Sequence, residues 1–184
     1  MKLNSQIALL RAVNVAGHNL IKMQDLRALL ESLGAKDPKT LLQSGNAFYR
    51  CTKSPQEMEA KLEKATAKRL DLQIQIMVRN EREWGKLISN NPFPKEAKRD
   101  PGHLVVLFLK QAPEKEAVAS LRAAIKGPEK IECIGSQLYI TYPKGIGTSR
   151  LTNAALEAKL GQRGTGRNWN TVLKLACLLT NGSL

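Results

Sequence analysis

The chain has 184 residues, 42% of them hydrophobic and 4% aromatic, with 29 Lys and Arg against 16 Asp and Glu for a formal net charge of +13. That composition excludes a disordered chain, the length suits one ordinary domain or two small ones, and no apolar run reaches the roughly 20 residues of a membrane helix. Cys51, Cys133 and Cys177 are odd in number, far apart and without CxxC spacing, so they predict buried reduced thiols in a cytoplasmic protein, with no disulfide framework, zinc site or membrane association.

Ile7 to Leu10 reads as a central strand closed by Arg11, too short and too soon interrupted for a signal peptide. A polar loop, Asn14 to Asn19, leads to Met23, Leu26, Leu29, Leu30 and Leu33 at helical spacing, stopped by Gly34. Thr40 to Gln43 and Ala47 to Cys51 read as strands of a tight hairpin with its tip at Gly45-Asn46. Ser54-Pro55 with Glu57 opens a second helix through Met58, Leu62, Ala65 and Arg69. Ile74, Ile76 and Val78 alternate with glutamines and Met77 as a half-buried strand, and a short helix surrounds Trp84, Leu87 and Ile88.

The order then repeats. His103 to Leu109 is an apolar strand, and Val118, Leu121 and Ile125 mark a helix begun at Pro113-Glu114 and ended at Gly127-Pro128. Lys130 to Ile134 and Gln137 to Tyr142 flank a Gly135-Ser136 turn. Leu151, Ala155 and Ala158 form the next helix up to Gly161. Thr165 to Trp169 is extended, and Val172, Leu175, Ala176 and Leu179 give the last helix. The expected fold is therefore α+β: two tandem ferredoxin-like βαββαβ subdomains, residues 1–92 and 93–184, each with an antiparallel sheet backed by helices and an extra C-terminal helix. Residues 90–102, with three prolines and mixed charges, read as the linker.

The chemistry is sparse. His18 and His103 are the only histidines and read as surface or loop residues, so no metal site is expected. No nucleophile elbow, dinucleotide fingerprint or phosphate-binding loop occurs, and no pattern names a reaction or a cofactor. The basic surplus is shared: residues 1–92 hold 15 basic and 9 acidic groups, residues 93–184 hold 14 and 7. It points to anionic partners, either a small phosphate- or carboxylate-bearing molecule or a nucleic acid held non-enzymatically, and equally fits a plain solvated surface. In a βαββαβ unit the first strand ends beside the hairpin, which brings Arg11 and Asn14 next to Ser44 and Asn46, with Lys22 at the start of the first helix. Guanidinium, amide, hydroxyl and helix dipole would form an oxyanion cradle. The competing reading has Arg11 bracing the hairpin while Ser44 and Asn46 shape its turn. A second basic stretch holds Arg163, Arg167, Asn168 and Asn170 and enters the last helix. It reads either as an anion site or as a helix capped by Asn168 or Asn170, with Trp169 plugging the core.

Four segments together carry a resemblance: Leu9 to Gly17, Gln43-Ser44-Gly45-Asn46, Asn91-Pro92-Phe93-Pro94 and Thr165 to Leu175. They look like those of a bacterial family known as domain of unknown function 1697. The resemblance implies a cytoplasmic protein of two ferredoxin-like subdomains, and supplies no catalytic residue. Ala12 and Ala16 stand where that family usually has glycine.

Overall fold

The computed structural model describes residues 2–15 and 17–181. Strand β1 (Asn4–Leu10) forms from an apolar run whose Ile7, Ala8, Leu9 and Leu10 are all buried, as a central strand packed on both faces requires. Helix α1 (Met23–Ser32) buries Leu26, Leu29 and Leu30. Its end is set by Gly34 at φ 89°, with Gly34 N donating to Glu31 O at 2.9 Å and Ala35 N to Leu30 O at 3.1 Å. Those two bonds satisfy carbonyls that a helix end otherwise leaves open. Strands β2 (Lys36–Leu41) and β3 (Asn46–Cys51) follow. Helix α2 (Pro55–Leu70) opens with a reciprocal cap: Ser54 Oγ accepts from Glu57 N, and Glu57 Oε2 accepts from Ser54 N. Strand β4 (Ile76–Asn80) then runs directly into helix α3 (Glu81–Ser89).

The second series comprises helix α4 (Pro94–Arg99), strand β5 (Leu104–Leu109), helix α5 (Lys115–Ala124), strands β6 (Lys130–Ile134) and β7 (Gln137–Thr141), a 3-10 turn at Ile146–Thr148, helix α6 (Asn153–Leu160), strand β8 (Gly164–Asn168) and helix α7 (Trp169–Asn181). The two four-stranded sheets have orders β2-β3-β1-β4 and β6-β7-β5-β8, and every pairing is antiparallel. The expected pair of ferredoxin-like subdomains is thus the observed fold. By packing, the chain forms two compact units: Met1–Lys86 with Lys174–Leu184, and Leu87–Leu173.

In the first unit, Ala8, Leu10, Tyr49, Ile76 and Val78 share one core with Leu26, Leu30, Met58 and Leu62 of α1 and α2. In the second, Leu107, Leu109, Leu138 and Ile140 do the same with Val118, Leu121, Leu156 and Leu160. Truncating a fully buried leucine in either core to alanine costs about 2–5 kcal/mol. The exposed edge strands are guarded. Glu63 and Glu59 of α2 accept from Ile76 N at 2.8 Å and Val78 N at 2.7 Å, and Pro38 with a bulge between Lys36 and Lys39 interrupts β2. Both devices remove free strand edge on which another chain would pair.

Three expectations are corrected. The first hairpin turns over four residues, Leu42 to Gly45, and Asn46 is already in β3. Leu42 takes φ 60°, a conformation leucine rarely adopts and which sequence pattern does not announce. The second hairpin keeps its two-residue Gly135-Ser136 turn, with Gly135 at φ 59°. The presumed linker contains α4, because Pro94 suits a first helical position and Ala97 N closes onto Phe93 O at 2.9 Å. All three cysteines are free thiols, but only Cys51 is buried; Cys133 is half-buried and Cys177 exposed. No helix among the described residues is long and apolar enough to cross a membrane.

Candidate functional site

The loop after β1 and the first hairpin are joined into one structure at the sheet edge. Leu10 N donates to Gly45 O at 2.8 Å, and Arg11 N extends the pairing with β4 by donating to Gln75 O at 2.9 Å. A Cβ on Gly45 would come within 2.5 Å of Val13 Cγ2 and 2.7 Å of Leu10 Cβ. Only glycine therefore lets the hairpin sit against the end of β1. Asn14 is the staple: its Nδ2 donates to Gln43 O at 2.7 Å and to Ile21 O at 3.0 Å, while its Oδ1 accepts from Ile21 N at 2.9 Å. Asn19 Nδ2 closes the loop onto Ala12 O at 2.9 Å. Asn46 is buried and donates to Leu41 O and to Ser44 Oγ, at 2.9 and 3.0 Å.

The structure thus brings Arg11, Asn14, Ser44 and Asn46 to one edge, as expected, and spends the Asn14 and Asn46 amides on bracing it. Lys22 is exposed and occupies the N-cap of α1 without a side-chain cap bond, so the first turn of α1 receives no capping oxygen from that residue. Facing Arg11 in the sheet register is Gln75, whose Oε1 is buried and has no hydrogen-bond donor. Ala12 adopts φ 52°, a left-handed conformation that glycine takes without strain. Ala16 lies outside the described residues.

In the second unit, Arg163 and Asn170 are exposed, and Gly164 packs where a Cβ would stand 2.8 Å from Leu109 Cδ2. Arg167 is buried. Its Nη1 donates to Thr165 Oγ1 at 2.7 Å and to Gly166 O at 2.8 Å, and burial pulls its guanidinium down to about 10. Asn168 caps α7, its Oδ1 accepting from Thr171 N at 3.0 Å, and Trp169 is buried behind it. Of the two alternatives for this stretch, these contacts supply every element of the capped helix.

A constellation that the sequence reading passed over lies near the start of β5. His103 Nδ1 meets Asp100 Oδ2 at 2.7 Å in a cleft also lined by Lys95, Arg99, Thr141 and Tyr142. The signal was present as an acid three residues before a histidine, inside a segment read as linker. Asn170 is near the same turn: a Cβ on Gly102 would be 3.9 Å from Asn170 Nδ2 and 4.0 Å from Asp100 Oδ1. Among the described residues, no group of three or more His, Cys, Asp or Glu side chains could hold a metal ion.

The model of the family described as "Protein of unknown function (DUF1697)" matches residues 3–139. None of the curated proteins matches the chain. The chain is similar to a solved structure, a conserved bacterial protein SP0830 from Streptococcus pneumoniae, at 20% identity and a TM-score of 0.76, covering 97% of this chain and 100% of that one. At that identity the likeness carries the fold alone.

Proposed function

Because the chain belongs to the DUF1697 family, whose description names no activity, we propose from geometry that it binds a small phosphate- or carboxylate-bearing molecule at the edge of the first sheet. The observation that carries this reading is Gln75 Oε1, a buried acceptor without a donor, beside the strand-ending Arg11. A buried acceptor left unpaired costs about 1–3 kcal/mol, and a ligand hydroxyl or amine would recover it. The anionic group of the same ligand would face Arg11, Lys22 and the start of α1, where charge and helix dipole both favour it. Bracing by Asn14 and Asn46 supports the reading too, since a rigid cradle loses little entropy on binding.

A thermal-shift screen of nucleotides and sugar phosphates on the parent, Arg11→Ala and Gln75→Leu tests it. Stabilisation by one ligand class in the parent, lost in both variants, is the expected result. Absence of any ligand shift in the parent overturns the reading. The net charge of +13 favours a second reading, a nucleic-acid-binding surface. Its mark would be affinity that falls linearly in log–log form with salt, unaffected by Gln75→Leu.

A further inference from the structure

We propose that the cleft between α4 and the end of β7 is a separate binding site for a small phosphate-bearing molecule, with Lys95 and Arg99 holding the anion and His103 Nε2 sharing a proton with it. This site uses none of the residues of the sheet-edge cradle. Its volume is about 280 Å³, at the small end of ligand clefts. Lys95 and Arg99 are four residues apart on α4, so they project from the same side. Both are exposed, and neither has a hydrogen-bond or ion-pair partner among the described residues. The neighbouring Glu96 does not cancel them, because it faces Lys130 Nζ at 3.7 Å.

The imidazole is oriented rather than loose. Asp100 Oδ2 accepts a hydrogen bond from His103 Nδ1 at 2.7 Å, which leaves the lone pair of a neutral ring on Nε2. Gly145, at φ 90°, flanks that nitrogen: a Cβ there would be in ordinary contact with Nε2, at 3.7 Å. Thr141 lines the cleft with a buried hydroxyl that already accepts from Lys130 N at 3.1 Å, leaving its own proton to donate. The Tyr142 phenol is committed to Leu151 O at 3.2 Å, and burial pushes it up to about 12, so it adds no negative charge. With Glu96 and Lys130 offsetting each other, two cations outweigh the single carboxylate of Asp100. A phosphoryl group meets all these partners at once, since it offers several oxygens to the cations and shares one proton with Nε2. A carboxylate, ionised at neutral pH, has no such proton to share.

Nitrogen-resolved NMR of the imidazoles tests this with inorganic phosphate as the probe, against acetate at matched ionic strength. The chain has only two histidines, so His18 serves as the internal control and His103→Gln assigns the signals. Phosphate should shift His103 saturably and leave His18 in place, acetate should do neither, and Lys95→Gln/Arg99→Gln should weaken the effect at least tenfold. Equal, non-saturating movement of both histidines, or unchanged affinity in the double variant, overturns the proposal. Both substituted residues are exposed, and an unchanged amide spectrum confirms that the variant is folded.

Discussion

Arg79 and Arg167 occupy the same place in the two sheets: Arg79 pairs with Ile7 of β1, Arg167 with Val106 of β5, and each donates from Nη1 to the preceding carbonyl at 2.8 Å. Both are buried on edge strands, and burial lowers both guanidiniums. The next residue is asparagine in both cases and caps the following helix: Asn80 Oδ1 accepts from Glu83 N at 2.9 Å, as Asn168 Oδ1 does from Thr171 N at 3.0 Å. The duplication of element order therefore extends to a repeated Arg-Asn pair at each strand-to-helix junction. Their environments differ in one respect. Arg79 has the Glu59 carboxylate 3.6 Å from its Nη1, whereas Arg167 has the Thr165 hydroxyl 2.7 Å from its Nη1.

That difference predicts opposite behaviour on charge removal. A buried guanidinium pulled down by desolvation is costly to fold, and an apolar residue of similar length can replace it with little loss. Arg167→Met should leave the melting temperature unchanged or raised, whereas Arg167→Ala should lose about 2–4 kcal/mol to the cavity. Arg79→Met should be destabilising, because the Glu59 carboxylate then loses the cation 3.6 Å from it. Calorimetry on the three variants decides; an Arg167→Met protein as unstable as Arg167→Ala would contradict the assignment.

The caps have an ordinary magnitude. Asn80→Ala and Asn168→Ala should each lower stability by about 1 kcal/mol, read from denaturant midpoints at constant slope. Asn170→Ala, which removes an exposed side chain outside the cap, should fall within about 0.5 kcal/mol of the parent. Equal losses at Asn168 and Asn170 would show that the cap does not distinguish them.

At the sheet edge, glycine and alanine should exchange asymmetrically. Gly45→Ala forces a Cβ into Leu10 and Val13 at φ 72° and should cost upwards of about 2 kcal/mol, combining strain with overpacking. Ala12→Gly relieves a left-handed alanine at φ 52°. It should be neutral or stabilising by up to about 1 kcal/mol, after the extra chain entropy of glycine is counted. Thermal unfolding of the two variants checks both signs.

Alkaline stability follows from the tyrosines. Burial raises Tyr139 and Tyr142 to about 12 and Tyr49 well above its usual value near 10. The folded state then holds phenolic protons that the unfolded chain releases. Stability from this source is whole below pH 10 and is lost as the pH climbs from 10 through 12. Tyr139→Phe/Tyr142→Phe should show a shallower fall of stability over that interval, at the expense of the bonds to Leu87 O and Leu151 O at neutral pH. An alkaline limb of unchanged slope would refute the assignment.

What the sequence by itself determined is the order of elements, because the signals involved act within one or two turns of chain. Ser54-Pro55 with Glu57 encodes a cap, Gly34 and Gly161 encode helix ends in left-handed conformation, and Gly135-Ser136 encodes a tight turn. Two βαββαβ series follow from that order, since antiparallel pairing and right-handed crossovers leave few alternatives. The tertiary structure alone decided what each polar residue does. Asn14 finds Gln43 O across 29 positions, Arg167 is buried by the sheet face on which it falls, and Gln75 Oε1 is orphaned opposite Arg11. The Asp100–His103 pair was within local reach, yet its cleft exists only because α4 and the end of β7 converge there. A side chain's partners depend on which strands meet and in which register. That information is spread over the whole chain, whereas a cap or a turn is written in four residues.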